Sequence, residues 1–174
     1  EFRRVLFRSS FANMMEYVAV DALMPEWHIW ESLQLNDVSL ALNRDAIDGV
    51  QSVHVAINHP DEVNTLFDSA IVYAKGARML VMTRAMIGET AFRAGLKQYF
   101  DQYQYGNATG DDLWRALSQA SGKDVSGVMA TYLSQPGYPM ITASINADGQ
   151  LVVKQSQFFI GQHTTTRQLW QVPL

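Results

Sequence analysis

Tyr73 lies in the stretch FDSAIVYAKGARML, residues 67 to 80, where residue type and setting could do chemistry. A phenol is neutral near pH 7 and still donates a hydrogen bond. Such a group can stabilise an oxyanion growing on a substrate without first losing a proton. Read for packing alone, the same tyrosine is an ordinary amphipathic side chain in the first turns of a helix. The histidines His28, His54, His59 and His163 could offer metal binding. His54 and His59 are five apart in an expected loop, and the other two are remote from them. None makes the His-Glu-x-x-His pair that sets two imidazoles on one helical face, so the chain's own histidines give no zinc site. Cysteine is absent, and no serine sits in a Gly-x-Ser-x-Gly elbow. The segment from Gly106 to Gly110 lacks the Lys-Ser/Thr of a phosphate loop.

The elements that must position these residues are mostly helical. Phe11, Met14, Met15, Val18 and Ala22 recur at helical spacing, predicting a helix from Ser10 to Leu23. A second is expected over Pro25 to Asn43, with Pro25 in the first turn and Trp27, Trp30 and Leu33 on an apolar face. Gly49, Asn58 and Pro60 then break the periodicity, giving a loop with a short extended piece around Val53 to Ile57. A third helix starts at Asp68, an N-cap candidate, and runs to Ile87 with Val72, Met79, Met82 and Met86 facing inward. The fourth buries Phe92, Leu96, Tyr99, Phe100 and Tyr103 and closes by Gly106. Thr109 and Asp112 have capping-box spacing ahead of a helix from Asp111 to Ala120, and another covers Asp124 to Ser134. Beyond the turn QPGYP, the runs MITASIN, LVVKQSQFF and RQLWQVPL read as three strands. Asp148-Gly149 is a hairpin signal between the first two. Helices followed by strands, rather than interleaved with them, suggest two domains.

Hydrophobic residues make up 48% of the 174 and charged residues 17%, enough apolar surface for a substantial core. The formal charge is -4. Without residues 1–9, which hold three Arg and one Glu, the charge is -6. An acidic balance with scattered Lys and Arg argues against a nucleic-acid surface. No apolar run reaches the roughly 18 to 20 residues that span a bilayer, so no membrane partner is expected. The lack of cysteine suits a reducing cytoplasm.

The stretch around Tyr73 resembles the aminopeptidase N family of zinc metallopeptidases, the gluzincins, in which Tyr-x-Lys-Gly-Ala marks a helix facing the metal. Here those residues are Tyr73, Lys75, Gly76 and Ala77, preceded by Phe67-Asp68 and by Ile71 and Val72. SFANMMEYVAVDALMPEWHIWE (Ser10 to Glu31) is similar to the segment after the family's third zinc ligand. DGVQSVHVAINHPDEV resembles the loop before the tyrosine, and YLSQPGYPMI the passage into a following β-sandwich. The likeness covers Ser10 to Leu174 and is strongest to enzymes of lactic acid bacteria. It implies a mainly α chain: the helical half of a thermolysin-like catalytic domain over residues 10–136, then the first strands of a β-sandwich over 137–174. It also implies Zn2+ in the intact parent, peptide substrates, and Tyr73 as donor to the tetrahedral intermediate. The family's third zinc ligand is the Glu of Asn-Glu-[Gly/Ser]-Phe-Ala. Aligned on Phe11-Ala12, that Glu falls at position 9, which is Ser9.

The likeness stops between Ser10 and Ser9. EFRRVLFRS matches a reading frame through a common sequencing-library adapter, so residues 1–9 are read as a translated adapter joined to a gene fragment. On that reading the parent removes N-terminal residues from peptides. The chain itself binds no zinc at this site and is inactive, and its exposed apolar faces favour aggregation or a molten state. The rival reading is a zinc-free helical protein-interaction module with the same fold.

Overall fold

The computed structural model of the chain describes residues 3–55, 68–164 and 167–173. Helix α1 is Arg3–Leu23. A 3-10 turn follows at Pro25–Trp27, then α2 (Ile29–Ser32), a π turn (Leu33–Val38) and α3 (Ser39–Asp45). A second π turn, Ala70–Lys75, leads into α4 (Gly76–Ile87). After it come α5 (Glu89–Tyr103), α6 (Gly110–Ser121) and α7 (Val125–Leu133). Strands β1 (Pro139–Ile145) and β2 (Leu151–Gln157) close the order. The described residues are therefore mainly helical, with an antiparallel hairpin after the helices.

The helix starts follow local chemistry. The Thr109 hydroxyl accepts from the Asp112 N–H while the Asp112 carboxylate accepts from the Thr109 N–H, the reciprocal box its spacing predicts. That bonding holds the Asp112 carboxyl down to about 2, with Tyr103 and Arg115 adding to it. The Asp68 carboxylate accepts from the Ala70 N–H at 3.0 Å, and Asp124 accepts from Gly127 at the start of α7.

Several expectations are corrected, among them the burial of Phe100, which is 53% exposed on α5. Helix α1 starts at Arg3, not Ser10. A helix nucleated downstream propagates at little cost, and residues 3–9 hold neither Gly nor Pro to stop it. The single helix expected over Pro25 to Asn43 is broken by His28, whose φ of 48° is left-handed. That break leaves Trp27 62% exposed while Leu33 is buried. The third strand does not form among the described residues of RQLWQVPL. Trp170 is drawn into the helical core instead. The Gln155 amide donates to Trp170 O and accepts from Trp170 N, both at 2.9 Å. A side chain thus occupies the groups a strand neighbour would need. The extended piece expected at Val53 to Ile57 lies partly outside the described residues, and Val53 to Val55 carry no strand.

The main core joins Met14 of α1, Leu80 of α4, Phe92 of α5, Leu117 of α6 and Met129 of α7 with Trp170. Full burial of each such side chain contributes roughly 1.5–3 kcal/mol. Helix α1 packs on both α4 and the second π turn, and α3 packs on that turn as well. A smaller cluster, Val50, Val53 and Ile71, backs the turn against Leu133. In the hairpin, Pro139 pairs with Gln157 and Ile145 with Leu151. The Asn146 side chain ties the connection by accepting from the Asp148 and Gln150 N–H groups.

Candidate functional site

Tyr73 sits in the middle of the second π turn. Its neighbours Ile71, Val72, Ala74 and Lys75 are between 0 and 4% exposed, whereas Tyr73 is 36% exposed. One wall of the turn faces the core and the phenol leaves from the other. Wider windings of this kind frequently interrupt α-helices at functional positions.

The motif residues around it have separate structural tasks. Lys75 Nζ lies 2.7 Å from Asp45 Oδ2, and both side chains are buried. The other Asp45 oxygen accepts from the Gly137 N–H at 2.8 Å, and Lys75 Nζ donates to Gly137 O at 3.1 Å. Burial pushes the Lys75 ammonium below its ordinary range, and Asp45 pulls it partly back. Charge and hydrogen bonds are matched at both ends, the condition under which a buried pair is tolerated. Gly137 has φ of 84°, and a Cβ there would overlap the Gln157 side chain. The pair therefore fastens the π turn, the end of α3 and the QPGYP turn to one another. Gly76 marks where α1 crosses α4, because a Cβ on it would overlap the Ser10 side chain. Ala77 is fully buried beside it.

Of the residues singled out in the sequence, the fold brings two together. Ser10 Oγ donates to Val72 O at 2.5 Å. Ser9 precedes one partner and Tyr73 follows the other, so the position expected to carry a metal ligand lies across the same helix crossing as the phenol. The histidines do not join them. His28 is exposed near Glu31, at 3.8 Å. His163 stacks on Phe159 with ring centres 4.3 Å apart, His54 is exposed, and His59 lies outside the described residues. Among the described residues, no three of His, Cys, Asp and Glu gather closely enough to hold a metal ion. With serine at position 9, the described residues do not fit a zinc centre. An open cleft of about 360 Å3, lined by Trp30, Val81, Arg84, Ala85, Gly88 and Glu89, does not include Tyr73.

A polar cluster on α1 escaped the sequence reading. Asp37 Oδ2 accepts from Asn13 Nδ2 and from the Tyr17 hydroxyl, each at 3.1 Å. The Tyr17 ring stacks on Trp30. Burial, then the bond to Asp37, then the charges of Asp37 and Glu16 push the Tyr17 phenol up to about 12. Nothing local in the sequence announces it, since Asp37 is 20 residues from Tyr17. No described helix is long and apolar enough to cross a membrane.

The peptidase family M1 domain matches residues 2–132. Aminopeptidase N of Lactobacillus helveticus is 56% identical over 165 residues, which are 95% of this chain and 20% of that protein. Aminopeptidase N of Lactococcus lactis subsp. cremoris is 55% identical over 95% of the chain and 19% of its own length. The leucyl aminopeptidase of Saccharolobus solfataricus is 36% identical over 95% of the chain and 21% of its own length. The chain thus spans about a fifth of the length of these curated relatives.

Proposed function

The chain belongs to peptidase family M1, and on that premise we propose that it is part of an aminopeptidase that removes the N-terminal residue from peptides. In that reaction Tyr73 donates a hydrogen bond to the oxyanion of the tetrahedral intermediate. The observation that carries this reading is the outward phenol on an otherwise buried π turn. A hydrogen-bond donor already held in place needs no reorganisation when charge develops on the carbonyl oxygen.

Zn2+ belongs to this proposal only through the intact parent, where it would supply Lewis-acid chemistry. No step is routed through a metal here, because the position proposed for the third ligand is Ser9. The 174-residue chain by itself is therefore proposed to be inactive. Residues 1–9 are proposed to be foreign to the parent. Residues 10–136 would belong to its catalytic domain and 137–174 to a following β-sandwich. Peptides are the partners proposed, with no nucleic acid or membrane, and the cytoplasm is the proposed location.

The test replaces residues 1–9 by the corresponding upstream part of the L. helveticus relative and measures hydrolysis of an aminoacyl chromogenic substrate. Tyr73→Phe in that enzyme is expected to lower kcat about 10²–10³-fold with little change in KM. Unchanged kcat would remove Tyr73 from the mechanism. Turnover by the 174-residue chain would end the claim of inactivity. Exposed Leu23, Trp27 and Leu35 favour the second reading, a zinc-free interaction module, which requires the extended enzyme to be inactive as well.

A further inference from the structure

At Tyr73 the helix is wound so that the Gly76 N–H is shared between Ile71 O, five residues back, and Tyr73 O, three back. A regular helix would give that N–H to Val72 O, four back. Val72 is fully buried, and a buried carbonyl left without a donor costs roughly 1–3 kcal/mol. Passed over by the Gly76 N–H, Val72 O takes a donor from outside the helix. The Ser10 hydroxyl, itself 1% exposed, supplies it at 2.5 Å from a helix 62 residues earlier in the chain. The carbonyl it holds belongs to the peptide unit whose nitrogen is that of Tyr73, so the bond fixes the plane from which Tyr73 departs.

Lys75 acts from the other side. Two residues on a helix point to nearly opposite faces. Anchoring Lys75 inward on Asp45, Gly137 O and, more weakly, Gln135 O therefore turns Tyr73 outward. We infer that Ser10 and Lys75 are the positioning residues for Tyr73, one by capping the carbonyl that the π register frees and one by anchoring the inner face. The inference rests on the proposed role of Tyr73, but its geometry is read without turnover.

The 174-residue chain is labelled with 3-fluorotyrosine, giving one 19F signal for each of its seven tyrosines, and Tyr73→Phe assigns the signal of interest. Ser10→Ala removes the hydroxyl at nearly constant volume. Its expected result is a displaced or split Tyr73 signal, with those of buried Tyr132 and fully exposed Tyr105 in place. Ser10→Thr, which keeps the hydroxyl, is expected to restore the original signal. The paired change Asp45→Leu with Lys75→Met, which leaves no unpaired charge, is expected to move the Tyr73 signal again while Tyr132 stays put. A Tyr73 signal that ignores Ser10→Ala overturns the role of Ser10, and one that ignores the paired change overturns that of Lys75. Movement of all seven signals together in Ser10→Ala also overturns the inference, because the hydroxyl then supports the fold and not the phenol. Failure of the catalytic reading would appear only in the kcat of Tyr73→Phe and would leave these shifts as they are.

Discussion

Lys75 Nζ and Asp45 Oδ2 meet at 2.7 Å with side chains only 4% and 3% exposed. Thirty positions apart in sequence, they link the end of α3 to the turn that carries Tyr73. Removing one member strands the other charge in the interior, at a cost of about 3–5 kcal/mol. Lys75→Met is therefore expected to lower the chemical-denaturation midpoint strongly. The double change with Asp45→Leu is expected to recover most of the loss. A single substitution as mild as the double would show that the pair is not held dry.

The crossing of α1 over α4 depends on Gly76 lacking a side chain. Gly76→Ala would force its Cβ into Ser10, at a cost of about 1–3 kcal/mol for overpacking. In a Ser10→Gly background the same change has room. The double-mutant cycle should return a coupling of roughly 0.5–3 kcal/mol, and additive effects in thermal melts would contradict this crossing.

Tyr17 makes the chain alkali-sensitive in a particular window. Its phenol pKa is raised to about 12 in the fold from the ordinary 10.0, so the folded state keeps that proton after the unfolded chain has lost it. The resulting stability is complete below pH 10 and disappears as pH rises towards 12. Tyr17→Phe should therefore lose less stability than the parent chain across that interval. Tyr103, Tyr132 and Tyr138 are also raised, by bonding to Asp112 or by burial, so phenolate absorbance should show several late-titrating tyrosines, of which Asp37→Asn makes one earlier.

Trp170 belongs to the helical core although it follows the hairpin. It is 3% exposed, and its indole N–H is buried without a partner among the described residues. Trp170→Ala is expected to cost about 3–5 kcal/mol. Trp170→Phe should cost clearly less, because it keeps a ring and removes an unsatisfied donor. Equal losses in equilibrium unfolding would mean that the indole nitrogen has a partner after all.

These contrasts show which parts of the molecule were legible in the sequence. Thr109 with Asp112 and Asp68 with Ala70 could be read because capping acts over two or three residues. Ser10 with Val72 and Asp45 with Lys75 could not, because their partners meet only after the helices pack. The strand expected of RQLWQVPL does not form among the described residues, for a related reason. Leu169 is exposed and Trp170 buried, the alternation of a strand, but alternation records an extended backbone and not the neighbour that would make a ladder. The resemblance carried by Tyr73, Lys75, Gly76 and Ala77 located the candidate site, whereas the apolar stripe of Val72, Met79, Met82 and Met86 gave no sign of the π winding within it.

A π winding is equivalent to one residue inserted into an α-helix, which makes the spacing between Asp68 and Gly76 a matter of count as well as of identity. Deleting Ala74 would restore the shorter repeat and bring Lys75 to about 100° from Tyr73 instead of the far side. The ammonium could then reach Asp45 only by dragging the phenol towards the interior. Replacing Ala74 by another small residue preserves the count and should be tolerated, but removing it should not, so this turn is more vulnerable to changes in length than to changes in composition.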